Sequence, residues 1–154
     1  MKMKQVDSTG LVKSPFTISS ATTGVTFVSA DFATSSSWTV ILTYAVPLGV
    51  AVEITPVNWH FGYYYATDTT TAITAGLTKI EKQNANGTES RELWSGPNKI
   101  FKDIGDVRQR PNLRVPVILN ASEKLVVSVK SLGTTFDVGV SDYFIEAMQY
   151  YEQV

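Results

Sequence analysis

The sequence predicts an all-β protein, a sandwich of antiparallel strands in one domain. Runs of β-branched and aromatic residues recur along the chain with period-two alternation, and Gly, Pro and Asn turn signals separate them at intervals of roughly 8–15 residues. The one stretch with helical spacing, Ile145, Met148 and Tyr151, has no cap and continues an existing strand, so it too is predicted as strand. Eight to ten strands are expected on that pattern, with no internal repeat.

Residues 38–65 form the predicted centre. Val40, Leu42 and Tyr44 alternate with Thr39, Ile41 and Thr43; Pro47-Leu48-Gly49 breaks the run, and a second run follows to Tyr65. This predicts a strand–turn–strand hairpin. Val40-Ile41-Leu42 is apolar on both faces, which suits a strand buried between two layers, and Pro56 marks a bulge or an edge.

The flanking elements follow in order. Residues 1–10 are predicted as a flexible N-terminal arm and residues 11–154 as the sandwich domain. Phe16 and Ile18 alternate around Pro15, as on an edge strand, and residues 25–28 make a short strand. Residues 34–37 are a polar loop. Residues 73–83 read as a strand. Asn84-Ala85-Asn86-Gly87 reads as a tight hairpin turn, because Asn-Gly supplies positive φ angles, and residues 89–95 return as its partner. Gly96-Pro97-Asn98 turns again, residues 100–104 are a short strand, and residues 105–111 a charged loop. The run from Leu113 to Leu119 contains Pro116, which argues for an edge or a bulge. After the turn at residues 120–123, Leu125, Val127 and Val129 alternate with Lys124, Ser128 and Lys130 as a half-buried strand. The last run changes phase near Asp142, which predicts a bulge.

Composition bounds the function. The 154 residues carry a net charge of −1, which gives no bulk electrostatic case for nucleic acid or an anionic membrane. Charged residues make up 18%, below the roughly 25% of ordinary soluble domains, which is common where neighbours cover much of the surface and also in β proteins generally. The absence of cysteine excludes disulfides, thiolate catalysis and Cys-ligated metal sites. The basic N-terminus is followed by no apolar region of signal-peptide type, and no apolar run is long enough for a transmembrane helix.

The single histidine, His60, cannot build a multi-His metal site, and Ser-His-Asp chemistry is hard to assemble around it. Asp103 and Asp106 are too few for a Ca²⁺ site, and Glu89 and Glu92 fall on opposite sides of a strand. The chain is therefore expected to be non-enzymatic, with no cofactor and no metal. Asn86-Gly87-Thr88 and Asn120-Ala121-Ser122 match the glycosylation acceptor pattern but sit where turns are expected anyway. Two groups stand out as contact candidates. Trp59, Phe61, Tyr63 and Tyr65 share one face of a strand, and three roles are open to them: core, subunit interface or sugar-stacking platform. Arg108, Arg110 and Arg114, near Lys99 and Lys102, form a basic cluster partly neutralised by Asp103 and Asp106. A solvated loop is its default reading and a contact with an acidic neighbouring subunit the alternative, and it lacks the interleaved aromatics of a nucleic-acid site.

The C-terminal layout carries a resemblance. Arg114-Val115-Pro116-Val117-Ile118-Leu119-Asn120 leads into Glu123-Lys124-Leu125-Val126-Val127-Ser128-Val129 and then Phe136-Asp137-Val138-Gly139-Val140, with the Tyr44-Ala45-Val46-Pro47-Leu48-Gly49 turn upstream. Together these resemble the single jelly-roll structural proteins of virus and phage particles, a layout shared with carbohydrate-binding modules. The resemblance implies a jelly-roll-like antiparallel β-sandwich of about eight strands. It further implies a capsid-decorating or minor capsid subunit in the virion, assembled in the host cytoplasm. Its expected partners are its own copies, as a trimer, and a major capsid protein or other virion subunits, with no nucleic acid or membrane contacted directly. The alternative is a carbohydrate-binding or receptor-binding module.

Overall fold

The alternating runs become strands in a computed structural model, which describes residues 5–6, 11–19, 21–27, 32–54, 59–65, 76–97, 107–109, 116–135 and 137–152. The first half of the chain supplies β1 (Gln5–Val6), β2 (Leu11–Ile18), β3 (Val25–Phe27), β4 (Phe32–Ala33), β5 (Thr39–Ala45), β6 (Val50–Ile54), β7 (Trp59–Tyr65) and β8 (Gly76–Gln83). The second half returns as β9 (Ser90–Pro97), β10 (Val107–Gln109), β11 (Val117–Leu119), β12 (Lys124–Ser131) and β13 (Asp137–Glu152).

The pairing is nested. β8 pairs with β9, β7 with β10, β6 with β11, β5 with β12 and β2 with β13, all antiparallel. The chain is thus one long hairpin whose tip is the turn at residues 84–89. It is rolled so that successive pairs fall into two sheets, which is the jelly-roll arrangement. The first sheet runs β1-β2-β13-β6-β11, with β4 and β7 also on β13 and β10 on β7; the second runs β3-β5-β12-β8-β9. β13 is the spine of the first sheet: residues 145–152 pair with β2, residues 148–151 with β6 and residues 138–145 with β7. Its register shifts between Gly139 and Asp142, the bulge that the phase change predicts.

The inward faces of the two sheets make the core. Ile18, Val52, Ile54, Leu119 and Ala147 of the first sheet meet Leu42, Tyr44, Ile80, Leu125, Val127 and Val129 of the second. Each large side chain removed from water there contributes about 1.5–3 kcal/mol. Burial pushes the Tyr44 phenol up from 10.0 to about 12, because desolvation disfavours the phenolate.

Several expectations hold. β3, the polar loop after β4, the β8–β9 hairpin and the terminal strand lie where predicted. Pro15 is exposed and faces a partner strand only on the β13 side, since β1 reaches only Val12 and Lys13. Others are corrected. Residues 39–54 are not a hairpin: β5 and β6 lie in different sheets. The Val46 amide donates to the Glu123 carbonyl and the Val46 carbonyl accepts from the Ser122 amide, both at 2.9 Å, so the backbone stays tied to the turn before β12 one residue past the end of β5. Pro47, Leu48 and Gly49 (φ +76°) then carry the chain across the edge of the core. The apolar triplet Val40-Ile41-Leu42 marks a bulge rather than a strand apolar on both faces. The register slips at Ile41, so Ile41 and Leu42 are both buried while Val40 is 49% exposed.

The turn at residues 84–89 is wider than a two-residue hairpin, because only Gly87 takes a positive φ (75°). Asn84 closes it, its amide donating to the Glu89 carbonyl (3.0 Å) and its carbonyl accepting from Gly87 (3.1 Å). Gly96 and Pro97 continue β9, on an edge where proline is tolerated, and the Trp94 ring lies against Gly96 where a Cβ would stand. Val107 to Gln109, expected in a loop, are a strand. The expected elements at residues 73–75, 100–104 and 113–115, and Pro56, lie outside the described residues.

Candidate functional site

β12 was expected to be buried on one face only, yet Leu125 to Val129 are buried throughout. The cover on its outward face is built from neighbouring strands. Trp38, just before β5, lies with the ammonium groups of Lys79 and Lys130 each 4.8 Å from its ring centroid. Lys79 pairs with Glu81 at 3.0 Å, their side chains 16% and 13% exposed, and Ser90 donates to the other Glu81 oxygen at 2.8 Å. Register places Lys79 beside Ser128 and Glu81 beside Val126. Aliphatic stems and an indole thus roof the middle strand, and Ser128 is left 2% exposed. The second sheet therefore needs no further layer.

At one end of the sandwich a polar clip joins the sheets. The Lys82 ammonium of β8 donates to Glu123 Oε2 (2.7 Å) and to the Ile118 carbonyl of β11 (2.9 Å), and the Asn120 amide donates to the same Glu123 oxygen at 2.7 Å. Burial alone would raise the Glu123 pKa, but the Lys82 and Asn120 hydrogen bonds and the Lys82 charge outweigh it and hold the carboxyl below its usual value. Ser122 takes a positive φ (68°) to close this turn.

The first sheet presents a different outward face. Register aligns Lys13, Tyr150 and Ala51 in one cross-strand row, and Pro15, Met148, Glu53 and Ile118 in the next. The Lys13 ammonium stands 5.5 Å from the Tyr150 ring centroid, and the Tyr150 hydroxyl donates to Glu53 Oε2 at 2.8 Å. Ile118 is 56% exposed. No layer covers this face among the described residues. Sequence reasoning missed it because its members come from β2, β6, β11 and β13, which only the nested pairing brings together.

The contact candidates named from the sequence also lie in this sheet. Trp59, Phe61, Tyr63 and Tyr65 are on β7, in register with Ile145, Tyr143, Val107 and Val138 respectively. Arg108 is on β10, directly opposite Gly62, so the aromatic strand and the start of the basic stretch are neighbours. His60 pairs with Phe144. Arg110 and Arg114, with Lys99, Lys102, Asp103 and Asp106, lie outside the described residues. No three His, Cys, Asp or Glu side chains come together among the described residues, and no helix there is long and apolar enough to cross a membrane.

No protein-family model matches the sequence, and no curated protein matches it. Solved structures do. The fold is similar to that of VP17, a capsid protein of bacteriophage P23-77, with a TM-score of 0.60 at 8% identity over 99% of this chain and 100% of that one. It also matches a chain in the complex of VP16 and VP17, the two major capsid proteins of that phage, with a TM-score of 0.59 at 8% identity over 89% of this chain and 98% of that one. The chain is an all-β, jelly-roll-like sandwich with the fold of a phage capsid protein.

Proposed function

We propose that the chain is a non-enzymatic structural subunit of a virus or phage particle, located in the virion and working through contacts with its own copies and with other capsid subunits. The observation that carries this reading is the likeness to VP17 over 99% of this chain and 100% of that one. The description of VP16 and VP17 as a complex supports a capsid partner besides the chain itself. Two physical features agree. The sandwich has a buried apolar core and a polar clip between its sheets, which suits a rigid building block, and one outward sheet face has no cover among the described residues.

Within that role the sequence favours a capsid-decorating or minor subunit, assembled as a trimer on a major capsid protein. The major capsid status of the VP17 relative favours a shell-forming subunit instead. Copy number and stripping separate the two. Particles purified on a density gradient should contain the chain at fixed stoichiometry. A decorating subunit comes off in mild denaturant and leaves closed shells, whereas loss of a shell-forming one opens them. If the chain stays free of particles and binds a glycan array instead, the capsid reading fails and the glycan-binding alternative takes its place.

A further inference from the structure

The uncovered face of the first sheet carries a charge pattern that complements itself. Lys13 on β2 and Glu53 on β6 lie on either side of β13, one cross-strand row apart. Two strand spacings of ~4.8 Å and one row of ~6.8 Å put them about 12 Å apart. Between and beside them lie Tyr150, Met148, Ala51, Pro15 and the exposed Ile118, an apolar centre flanked by Lys13 and Glu53 among the side chains the structure describes. Among the described residues the Lys13 ammonium has the Tyr150 ring but no carboxylate partner, and only one oxygen of Glu53 is engaged by Tyr150.

We propose that this face is a contact between two copies of the chain, packed face to face about a two-fold axis. The axis lies in the plane of the contact, passes over β13 between Tyr150 and Met148, and runs perpendicular to the line from Lys13 to Glu53. That operation sets Lys13 of each copy against Glu53 of the other, forms the ion pair twice, and buries Met148 and Tyr150 at the centre. An isologous contact requires such self-complementarity, since every residue pair across it occurs in both directions. The outward face of the second sheet offers nothing comparable, because Glu81 is already paired with Lys79 and hydrogen-bonded by Ser90. The proposal does not rest on the capsid reading: the dimer is a property of the chain alone.

Charge exchange tests it. Sedimentation of the intact chain across a concentration series should show a monomer–dimer equilibrium that weakens with salt. K13E and E53K should each raise the dimer dissociation constant at least tenfold, because each replaces two attractions with two repulsions. An equimolar mixture of the two variants should recover the wild-type constant as a heterodimer, and so should the double variant K13E/E53K. Ile118→Glu, at a side chain already mostly in solvent, is the independent variant: thermal unfolding of the dilute, monomeric chain should be unchanged while the dimer weakens. A wild-type chain monomeric at its highest soluble concentration would overturn the proposal. So would an oligomer indifferent to these substitutions, or single variants that fail to rescue each other when mixed.

Discussion

The two sheets solve the same problem differently. The second sheet encloses its middle strand on both sides, with the core below β12 and Trp38, Lys79, Glu81 and Lys130 above it. The first sheet is assembled on β13 from shorter pieces, β6 and β7 on one flank and β2 and β4 on the other, and its described outward face is open. A self-covered sheet contributes stability to the isolated subunit. An open one holds its apolar area for a neighbour. On the proposed assembly role, the cost of substitution should divide along the same line, with folding affected on one side and association on the other.

The largest expected effect breaks both sheets at once. Leu125→Ala, at the centre of the core, should cost about 3 kcal/mol in denaturant unfolding, through lost burial and the cavity left behind. Next is the roof. Trp38→Ala should cost about 2 kcal/mol and leave the dimer constant unchanged, although Trp38 belongs to no core cluster. If it cost nothing, β12 would owe its burial to something other than this cover. The clip comes third. The Glu123 pKa is lowered on folding from its usual 4.5, so its contribution is fully present above that value and is lost as pH falls through the folded-state pKa. Stability measured against pH should therefore fall on the acid side, and Glu123→Gln should remove about 1 kcal/mol at neutral pH and flatten that slope. The smallest effect is on the open face. Ile118→Ser should change unfolding by less than about 0.5 kcal/mol.

Strand identity was legible wherever side-chain alternation carried it, and the bulge near Asp142 was legible from the phase of the last run. Pairing was not. The strongest local turn signal, Pro47-Leu48-Gly49, promised a hairpin but delivered a change of sheet, because both edges of β5 are taken, one by β3 just upstream and the other by β12 some eighty residues away. Nothing near residues 46–49 specifies that the Val46 backbone will bond to residues 122 and 123. The triplet Val40-Ile41-Leu42 was ambiguous for the same reason. A bulge and a doubly buried strand write the same letters, and only the register on β12 separates them. Trp38 looked like the leading residue of a strand, and its role depends on two lysines from different strands. The aromatic run on β7 was conspicuous in the sequence, but its neighbourhood with Arg108 follows from the β7–β10 pairing alone.

The most direct test of the capsid role is electron cryo-microscopy of particles that contain the chain, at a resolution that separates strands. The expected result is shell density into which both sheets fit as one rolled hairpin, with the outward face of the first sheet against another subunit. Shell density fully accounted for by other folds, with this chain absent from the particle, would contradict it.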